Sequence, residues 1–224
     1  STIGNYNYLW FMNFIYWLTL LNIYFSEPLL PSKAIQGKSI PVIEYENLYK
    51  ELKLTNIIGF EAFKKSMEGY AKYKPSKPII AICDFTKPSN LKRFCVIDLE
   101  HKSLIINSLV AHGKNSGGLI PTSFSNQPES LKSSLGFYNI GKIIQSPKHG
   151  EAILLNGLER GVNENARARE IIIHGAHYVC NSFIEKYGRL GRSFGCPALP
   201  IDVMIKITPI IANGGLLNIY AENN

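Results

Sequence analysis

The sequence lacks the closely spaced cysteine and histidine pairs, such as C-x-x-C or H-x-x-x-H, that bind structural zinc. Its 4 cysteines and 5 histidines are dispersed over 224 residues. His174 and His177 are three residues apart, but if the strand predicted over residues 171–173 continues through them, their side chains point to opposite faces. The sequence therefore predicts no metal site.

Internal repeats, a linker and a second domain are also lacking. With 46% hydrophobic and 18% charged residues, the composition is that of one ordinary globular domain plus a leader. No nucleic-acid-binding motif occurs, and the basic residues behind the net charge of +7 are scattered along the chain. A basic surface suits an anionic partner. Nucleic acid would suit this charge, but without a binding motif it is not expected. A negatively charged cell envelope fits the charge equally well.

Charge is absent from residues 9–25, which read L-W-F-M-N-F-I-Y-W-L-T-L-L-N-I-Y-F. Glu27 and Pro28 end this apolar run, and residues 32–34 supply small side chains at the two positions that a signal peptidase reads. No lysine or arginine precedes the run, so the basic n-region is missing or truncated. The run is long for a signal-peptide core and short for a membrane-spanning helix. We interpret residues 1–34 as a cleaved secretory leader; an uncleaved membrane anchor and a buried helix are the alternatives.

Beyond the leader, short apolar runs predict a mainly β domain behind a pair of helices. Helical spacing over residues 41–73 predicts two helices that cap the domain. A hairpin is predicted around the turn cluster at residues 87–90. Many short strands with few helices favour a β-sandwich-like α+β fold. We divide the chain into a leader at 1–34, a helical cap at 35–75 and the main domain at 76–224. The predicted strands cover residues 79–85, 93–99, 103–111, 137–144, 151–155 and 216–220, and a further helix covers 202–212.

Residues 169–200 place a histidine at a strand end and a cysteine on a tight turn. His174-Gly175 follows an apolar run, and Cys196 follows Gly195. A free cysteine titrates near ~8.5, so most of it is thiol at neutral pH, and a neighbouring imidazole could take its proton. Gly195 would let the backbone approach an acyl group closely, with the nearby amides stabilising an oxyanion. From these residues alone, a structural cysteine and a core histidine fit equally well.

The string H-G followed by G-R-S-F-G-C-P-A-L-P resembles the catalytic signature of the murein L,D-transpeptidases (YkuD-type domain), in the divergent branch with G-R-S-x-G-C-P-A. The resemblance covers roughly residues 41–220. Two departures from the better-known members stand out, since Phe194 replaces a histidine, and Pro197 and Ala198 replace a hydrophobic–arginine pair. Substrate contacts made by those side chains cannot be transferred to this chain. Further matching segments are residues 109–113, 124–126, 133–138 and 157–159.

The resemblance implies an L,D-transpeptidase-like β-sandwich and a cysteine acyltransferase that acts on peptidoglycan stem peptides. Cys196 would be the nucleophile, His174 the general base and then acid, and the backbone near Gly195 the oxyanion site. A thioester would pass to an amine of a neighbouring stem, which requires no cofactor. Transfer to water would make the protein an L,D-carboxypeptidase or endopeptidase, and a non-catalytic wall-binding domain is a further alternative. We expect a monomer exported to the periplasm or cell envelope.

Four further residues are candidates for substrate binding. Arg192 could hold a substrate carboxylate through its guanidinium fork, or be a solvated charge. Ser193 could contact substrate, or stabilise the turn through its hydroxyl. His112-Gly113 is a second His-Gly pair at a strand end and could line the same cleft, or form backbone hydrogen bonds in a loop. Arg169 is interpreted as part of a surface or structural ion pair.

The other three cysteines carry separate expectations. Cys83 and Cys95 are symmetric about Ser89 in the predicted hairpin turn, so they could face each other and form a disulfide after export; two buried free thiols is the alternative. Cys180 stands in an apolar pattern, where burial would raise its pKa. We therefore expect a mild alkylating agent to modify Cys196 before Cys180.

Overall fold

The computed structural model describes residues 42–222. The helices are α1 (Val42–Glu51), α2 (Phe60–Tyr73), α3 (Asn181–Tyr187) and α4 (Ile201–Ile211), with a 3-10 turn at Glu164–Ala166. The strands are β1 (Ile79–Asp84), β2 (Phe94–Asp98), β3 (Ser103–Ser108), β4 (Gly136–Ser146), β5 (Gly150–Gly157), β6 (Ile172–Gly175), β7 (Ala198–Leu199) and β8 (Leu216–Tyr220).

The strands form a single mixed sheet of 8 strands in the order β3-β2-β1-β8-β4-β5-β6-β7. The β1–β8 and β6–β7 pairs are parallel, and the other neighbours are antiparallel. The segment after β3 returns to the opposite edge, where Ala111 bridges Ala198 and Gly113 bridges Ser193. The sheet is therefore nearly closed on itself, and the closure lies immediately beside the Cys196 turn.

Alternating side chains of the strands feed two cores on opposite faces of the sheet. In β1, Ala81 and Cys83 belong to a core shared with α4, whereas Ile80 and Ile82 belong to a core shared with α1 and α2. The period of two along a strand produces this division. Burying both faces stabilises the sheet and fixes the strand ends that carry the site.

The predicted fold class, mainly β with accessory helices, is confirmed. The predicted helix pair is present as α1 and α2, and the predicted hairpin as β1 and β2. The C-terminal helix and final strand lie within a residue of their expected bounds. Sequence reasoning missed α3 and β7, which are too short to show a period. The proposed leader lies outside the described residues.

The hairpin register differs from the expectation by one residue. Cys83 pairs with Phe94, and Cys95 pairs with Ile82. Because successive side chains point to opposite faces, Cys83 lies in one core and Cys95 in the other. Both are buried free thiols, so the facing arrangement needed for a disulfide is absent and the alternative reading holds.

Candidate active site

Cys196 lies in the connection that leads into β7, beside the start of β6. The backbone N–H of Ile172 points at its sulfur, with N to Sγ at 3.5 Å, and Sγ lies 3.7 Å from the carbonyl oxygen of Glu170. The parallel register that sets Ala198 beside His174 brings Cys196 alongside Ile172. The thiol is therefore held at the end of a strand, where it accepts a hydrogen bond from a strand amide.

The turn before Cys196 is tied by serine hydroxyls. Ser193 Oγ donates to the carbonyl oxygen of Cys196 at 2.6 Å and accepts from the Gly195 amide at 3.1 Å. Ser133 Oγ donates to the Gly195 carbonyl at 3.1 Å. Gly195 has a φ of +128°, and a Cβ there would lie 2.8 Å from the Lys132 carbonyl oxygen. Glycine is thus required on both conformational and steric grounds.

These bonds refine the expected oxyanion site. The Gly195 amide is already used by Ser193, whereas within residues 42–222 the Cys196 amide has no backbone acceptor. The Cys196 N–H, with the Ile172 N–H beside the sulfur, is therefore the candidate donor set for an oxyanion. The substrate-binding role expected for Ser193 stays a prediction, since both of its bonds here stabilise the turn.

His174 occupies the third position of β6, with Ala152 of β5 and Ala198 of β7 as its register neighbours. The two small side chains leave room for the ring, which is 1% exposed. Its Nδ1 lies 3.0 Å from the Gly175 carbonyl oxygen, which can only accept, so Nδ1 carries the proton and Nε2 is free to accept one. Burial lowers the pKa of His174 to about 4.

The Cys196 thiol and the His174 imidazole are both neutral in this structure. Burial raises the pKa of the Cys196 thiol above its usual value, so the thiol is protonated near neutral pH. Ile172, which touches the sulfur, and His174 are two residues apart on the same face of β6, a spacing of roughly 6.6 Å along a strand. Within the described residues no hydrogen bond joins Sγ to the imidazole.

Cys196 opens into a cleft of about 920 Å³ on the outer face of β4, β5 and β6. The rim carries both signs of charge, and Phe194 stands at its edge with 56% of its surface exposed. The ammonium groups of Lys114 and Lys148 lie 4.7 and 4.6 Å from the centre of the Phe194 ring. Other lining residues are Glu129, Leu131, Ile144, His149, Leu154, Arg167, Arg169, Glu170 and Ile172.

His112 and Gly113 lie behind the turn and are not among the residues that line this cleft. His112 is 1% exposed; it accepts from Arg93 Nη2 at 2.8 Å through Nδ1, and its Nε2 lies 3.4 Å from the Gly117 carbonyl oxygen. The Gly113 amide donates to Ser133 Oγ. Both residues support the turn from behind, and direct substrate contact by either stays a prediction.

Arg192 is partly buried beside the turn rather than in the cleft lining. Its Nη1 lies 3.5 Å from the Lys114 carbonyl oxygen, and its buried Nε has no partner within the described part of the chain. Its proposed grip on a substrate carboxylate stays a prediction.

Arg169 lines the cleft. The sequence predicts only a surface or structural ion pair for it. The structure gives it no carboxylate partner within residues 42–222; instead it donates to the carbonyl oxygens of Ser125 and Lys132, at 2.7 and 2.5 Å. Its charge acts to lower the pKa of Cys196, against the larger effect of burial. The guanidinium thus links the cleft wall at residues 125–132 to the start of β6, the strand that carries His174.

The expectation that Cys180 is buried is wrong. Cys180 is partly exposed just before α3, and its Sγ lies 3.1 Å from Ser182 Oγ and 3.3 Å from the His177 carbonyl oxygen. Bonds to Ser182 and to the Phe183 amide lower the pKa of this thiol. The apolar pattern wrongly predicted a buried thiol because α3, which follows Cys180, is a surface helix without a buried residue.

His174 is buried and His177 is exposed, and the two do not converge. Among the residues that the structure describes, no three histidine, cysteine or acidic side chains come together as a metal site requires.

None of the helices in the described range has both the length and the apolar character to cross a bilayer.

Known structures offer distant likenesses. An L,D-transpeptidase from Mycobacterium smegmatis is 13% identical over 64% of this chain and 59% of its own, with a TM-score of 0.41. One from Stackebrandtia nassauensis is 14% identical over 80% and 77%, with a TM-score of 0.39. One from Xylanimonas cellulosilytica is 11% identical over 68% of each, with a TM-score of 0.35.

The match thus spans about three fifths of the length of the mycobacterial chain. No curated protein matches this chain in sequence. A family model described as an L,D-transpeptidase catalytic domain matches residues 54–220, from just after α1 to the last residue of β8, a range that includes the Cys196 turn and His174. The chain therefore belongs to the L,D-transpeptidase catalytic domain family.

Proposed function

We propose that this protein is a cysteine-dependent L,D-transpeptidase that cross-links peptidoglycan stem peptides through a thioester acyl-enzyme. The observation that supports this most directly is the position of Cys196. Its thiol opens into a cleft of peptide size and accepts a hydrogen bond from the Ile172 amide, and the acceptor nitrogen of His174 lies on the same strand as Ile172. This is the set of groups that acyl transfer requires: a nucleophile, a base and oxyanion donors.

The charge of the cleft suits a peptide that bears both carboxylates and an amine. Lys148, Arg167 and Arg169 supply positive charge, and Glu129 and Glu170 supply negative charge, along one lining. Stem peptides that contain a diamino acid carry both kinds of group. A cleft of one sign would favour a uniformly charged substrate instead.

In the first half-reaction, His174 Nε2 takes the thiol proton as Sγ attacks the carbonyl carbon at the L-centre of the diamino acid. The oxyanion is held by the Cys196 amide. The C–N bond then breaks, the imidazolium returns its proton to the departing D-amino acid, and the thioester remains. In the second half-reaction, an amine of a neighbouring stem attacks the thioester, the C–S bond breaks, and the proton released returns to the thiol through His174.

Mass spectrometry of muropeptides incubated with the purified protein tests the proposal. Cross-linked dimers lacking one D-amino acid per link would support transpeptidation. Trimmed monomers would show that water is the acceptor and that the protein is a carboxypeptidase or endopeptidase. Unchanged muropeptides at any pH between 5 and 9 would contradict both and leave a wall-binding role.

Two cysteine variants make the result specific. Cys196→Ser should abolish product formation with the fold intact, whereas Cys180→Ser, outside the cleft, should retain it. Residual activity of Cys196→Ser equal to that of the unaltered protein would overturn the assignment. We further propose that the protein is exported and acts in the cell envelope; N-terminal sequencing of envelope-associated protein should place the mature end near Ile35.

A further inference from the structure

The turn between β4 and β5 folds over the histidine of the proposed site. His149 in this turn stacks on His174, with ring centroids 3.8 Å apart and an angle of 25° between the planes. The two residues are 25 positions apart in the chain, and nothing in the sequence assigns His149 a role. The contact is therefore made by the fold and bears directly on the base.

The hydrogen bond of His174 does not by itself fix the orientation of its ring, and stacking adds a second constraint. The Gly175 carbonyl fixes which ring nitrogen carries the proton, but a single bond at Nδ1 leaves the ring able to rotate about its side-chain torsions. Ala152 and Ala198, the register neighbours of His174, offer only small side chains to the ring. His149 stacks on one face of the ring, so the contact constrains the plane of the ring and with it the direction of Nε2.

The turn is attached at a second point. Lys148, next to His149, places its ammonium over the ring of Phe194, two residues before the nucleophile. Lys114 lies over the same ring. The turn thus contacts the segment that carries the base and the segment that carries the thiol.

The charged groups around the stacked pair come from three elements. Lys148 and Glu151 lie on the hairpin beside His149, His177 and Tyr178 follow β6 and line the same pocket, and Cys196 lines the neighbouring cleft together with His149. Burial and then Lys148 lower the pKa of His149, and burial raises the pKa of Tyr178 to about 12. His149, Tyr178 and the thiol are therefore uncharged at neutral pH, and a neutral ring faces the imidazolium that forms on His174 during catalysis.

We propose that His149 is a positioning residue, which holds His174 by ring stacking in the plane that directs Nε2 to the reacting thiol. The inference rests on the proposed function, because it takes His174 as the base. It goes beyond that function in giving the β4–β5 turn a part in the chemistry through a residue that does not itself exchange protons with the substrate.

Three variants test this role. His149→Ala removes the ring, His149→Phe keeps a flat ring that does not titrate, and His101→Ala, at an exposed histidine paired with Asp98, is the control. The assay is the rate at which Cys196 of the full chain is acylated by a muropeptide donor, followed by intact mass from pH 4 to 9. The second readout is the ¹⁵N NMR titration of the His174 ring.

His149→Ala should slow acylation between about tenfold and a hundredfold, the range expected when a reacting group is misplaced by about an ångström. It should also expose His174, so that its NMR titration midpoint and the acid limb of the rate both move up towards ~6.5. His149→Phe should restore most of the rate and keep both midpoints low. His101→Ala should match the unaltered protein.

An unchanged rate and an unchanged His174 titration in His149→Ala would overturn the inference. So would a His149→Phe variant as slow as His149→Ala, since stacking alone would then not explain the effect. A parallel His174→Ala variant separates the two proposals. If it retains full activity, the proposed function itself fails; if it is inactive while His149→Ala is normal, only the role of His149 fails.

Discussion

Acid should destabilise this protein through two histidines that the fold keeps neutral. His112 is buried against Arg93, whose Nη2 donates to Nδ1 of the ring. Protonation would place a proton where the ring must accept and a positive charge beside a guanidinium. Burial and then Arg93 lower the pKa of His112 to about 3, and burial lowers that of His174 to about 4.

The size of the effect follows from the difference between the folded and unfolded pKa values. An unfolded histidine titrates near ~6.5, so below that pH the unfolded chain binds protons that the folded chain refuses. Stability is complete above ~6.5 and falls by about 1.4 kcal/mol per pH unit for each histidine. At pH 5 the loss is about 2 kcal/mol each and about 4 kcal/mol together.

One other histidine acts in the same window: burial and then Lys148 lower the pKa of His149, so its loss of stability has the same sign. That loss is common to the unaltered protein and to the variants at His112 and His101. The pKa values of Asp98 and Glu164 are lowered by hydrogen bonds, so their contribution is lost only below pH ~5, near the unfolded carboxyl values. The pKa of His101 is raised by Asp98, which gives the opposite sign, but this pair is exposed and screened.

Urea unfolding at pH 8, 6.5 and 5 measures the loss. His112→Gln offers Arg93 an acceptor that does not titrate, so its loss of stability between pH 8 and 5 should be about 2 kcal/mol smaller than that of the unaltered protein. Comparing each variant with itself removes any fixed cost of the substitution. His101→Gln should keep the full loss. Equal losses in His112→Gln and the unaltered protein would refute the reasoning.

Three further predictions concern the site. Gly195→Ala should slow acylation of Cys196 at least tenfold, since a Cβ at a φ of +128° collides with the Lys132 carbonyl and adds about 1–3 kcal/mol of backbone strain; unchanged kinetics in a folded variant would contradict this. Arg169→Met should raise the thiol pKa in a pH series of alkylation, whereas Arg169→Lys should raise it less. Iodoacetamide at pH 7.5 should label Cys180 before Cys196, as peptide mapping would show, because hydrogen bonds lower the pKa of Cys180 whereas burial raises the pKa of Cys196.

The sequence predicted elements better than it predicted their pairing. Turn residues at 87–90 located the β1–β2 hairpin, but composition could not distinguish a turn centre at Ser89 from one half a residue earlier. That half step separates a facing Cys83–Cys95 pair from the observed Cys83–Phe94 pair. Register is set by the two buried faces together, which a local pattern does not contain.

Residues of the candidate site could be named from the sequence where they stand close together in the chain, and not where only the fold brings them together. Cys196, Gly195 and His174 stand in one recognisable segment. His149 and Arg169 reach the site through contacts with that segment and with residues 125–132. A histidine before a glycine and an arginine before a strand carry no sign of these contacts. The buried Arg93–His112 pair was missed for the same reason.

The protonated thiol and the unprotonated imidazole of the resting site determine how a reaction can begin. With the thiol pKa raised by burial and the pKa of His174 near 4, proton transfer from Cys196 to His174 is unfavourable in the empty cleft. In the proposed mechanism, substrate must therefore supply part of the driving force, by bringing a carbonyl to Sγ so that attack and proton transfer occur together. Because oxidation of cysteine follows thiolate character and exposure, the same state protects the proposed nucleophile. For a protein exported to an oxidising compartment, as we propose, a thiol that is activated only by its substrate would persist where a free thiolate would not.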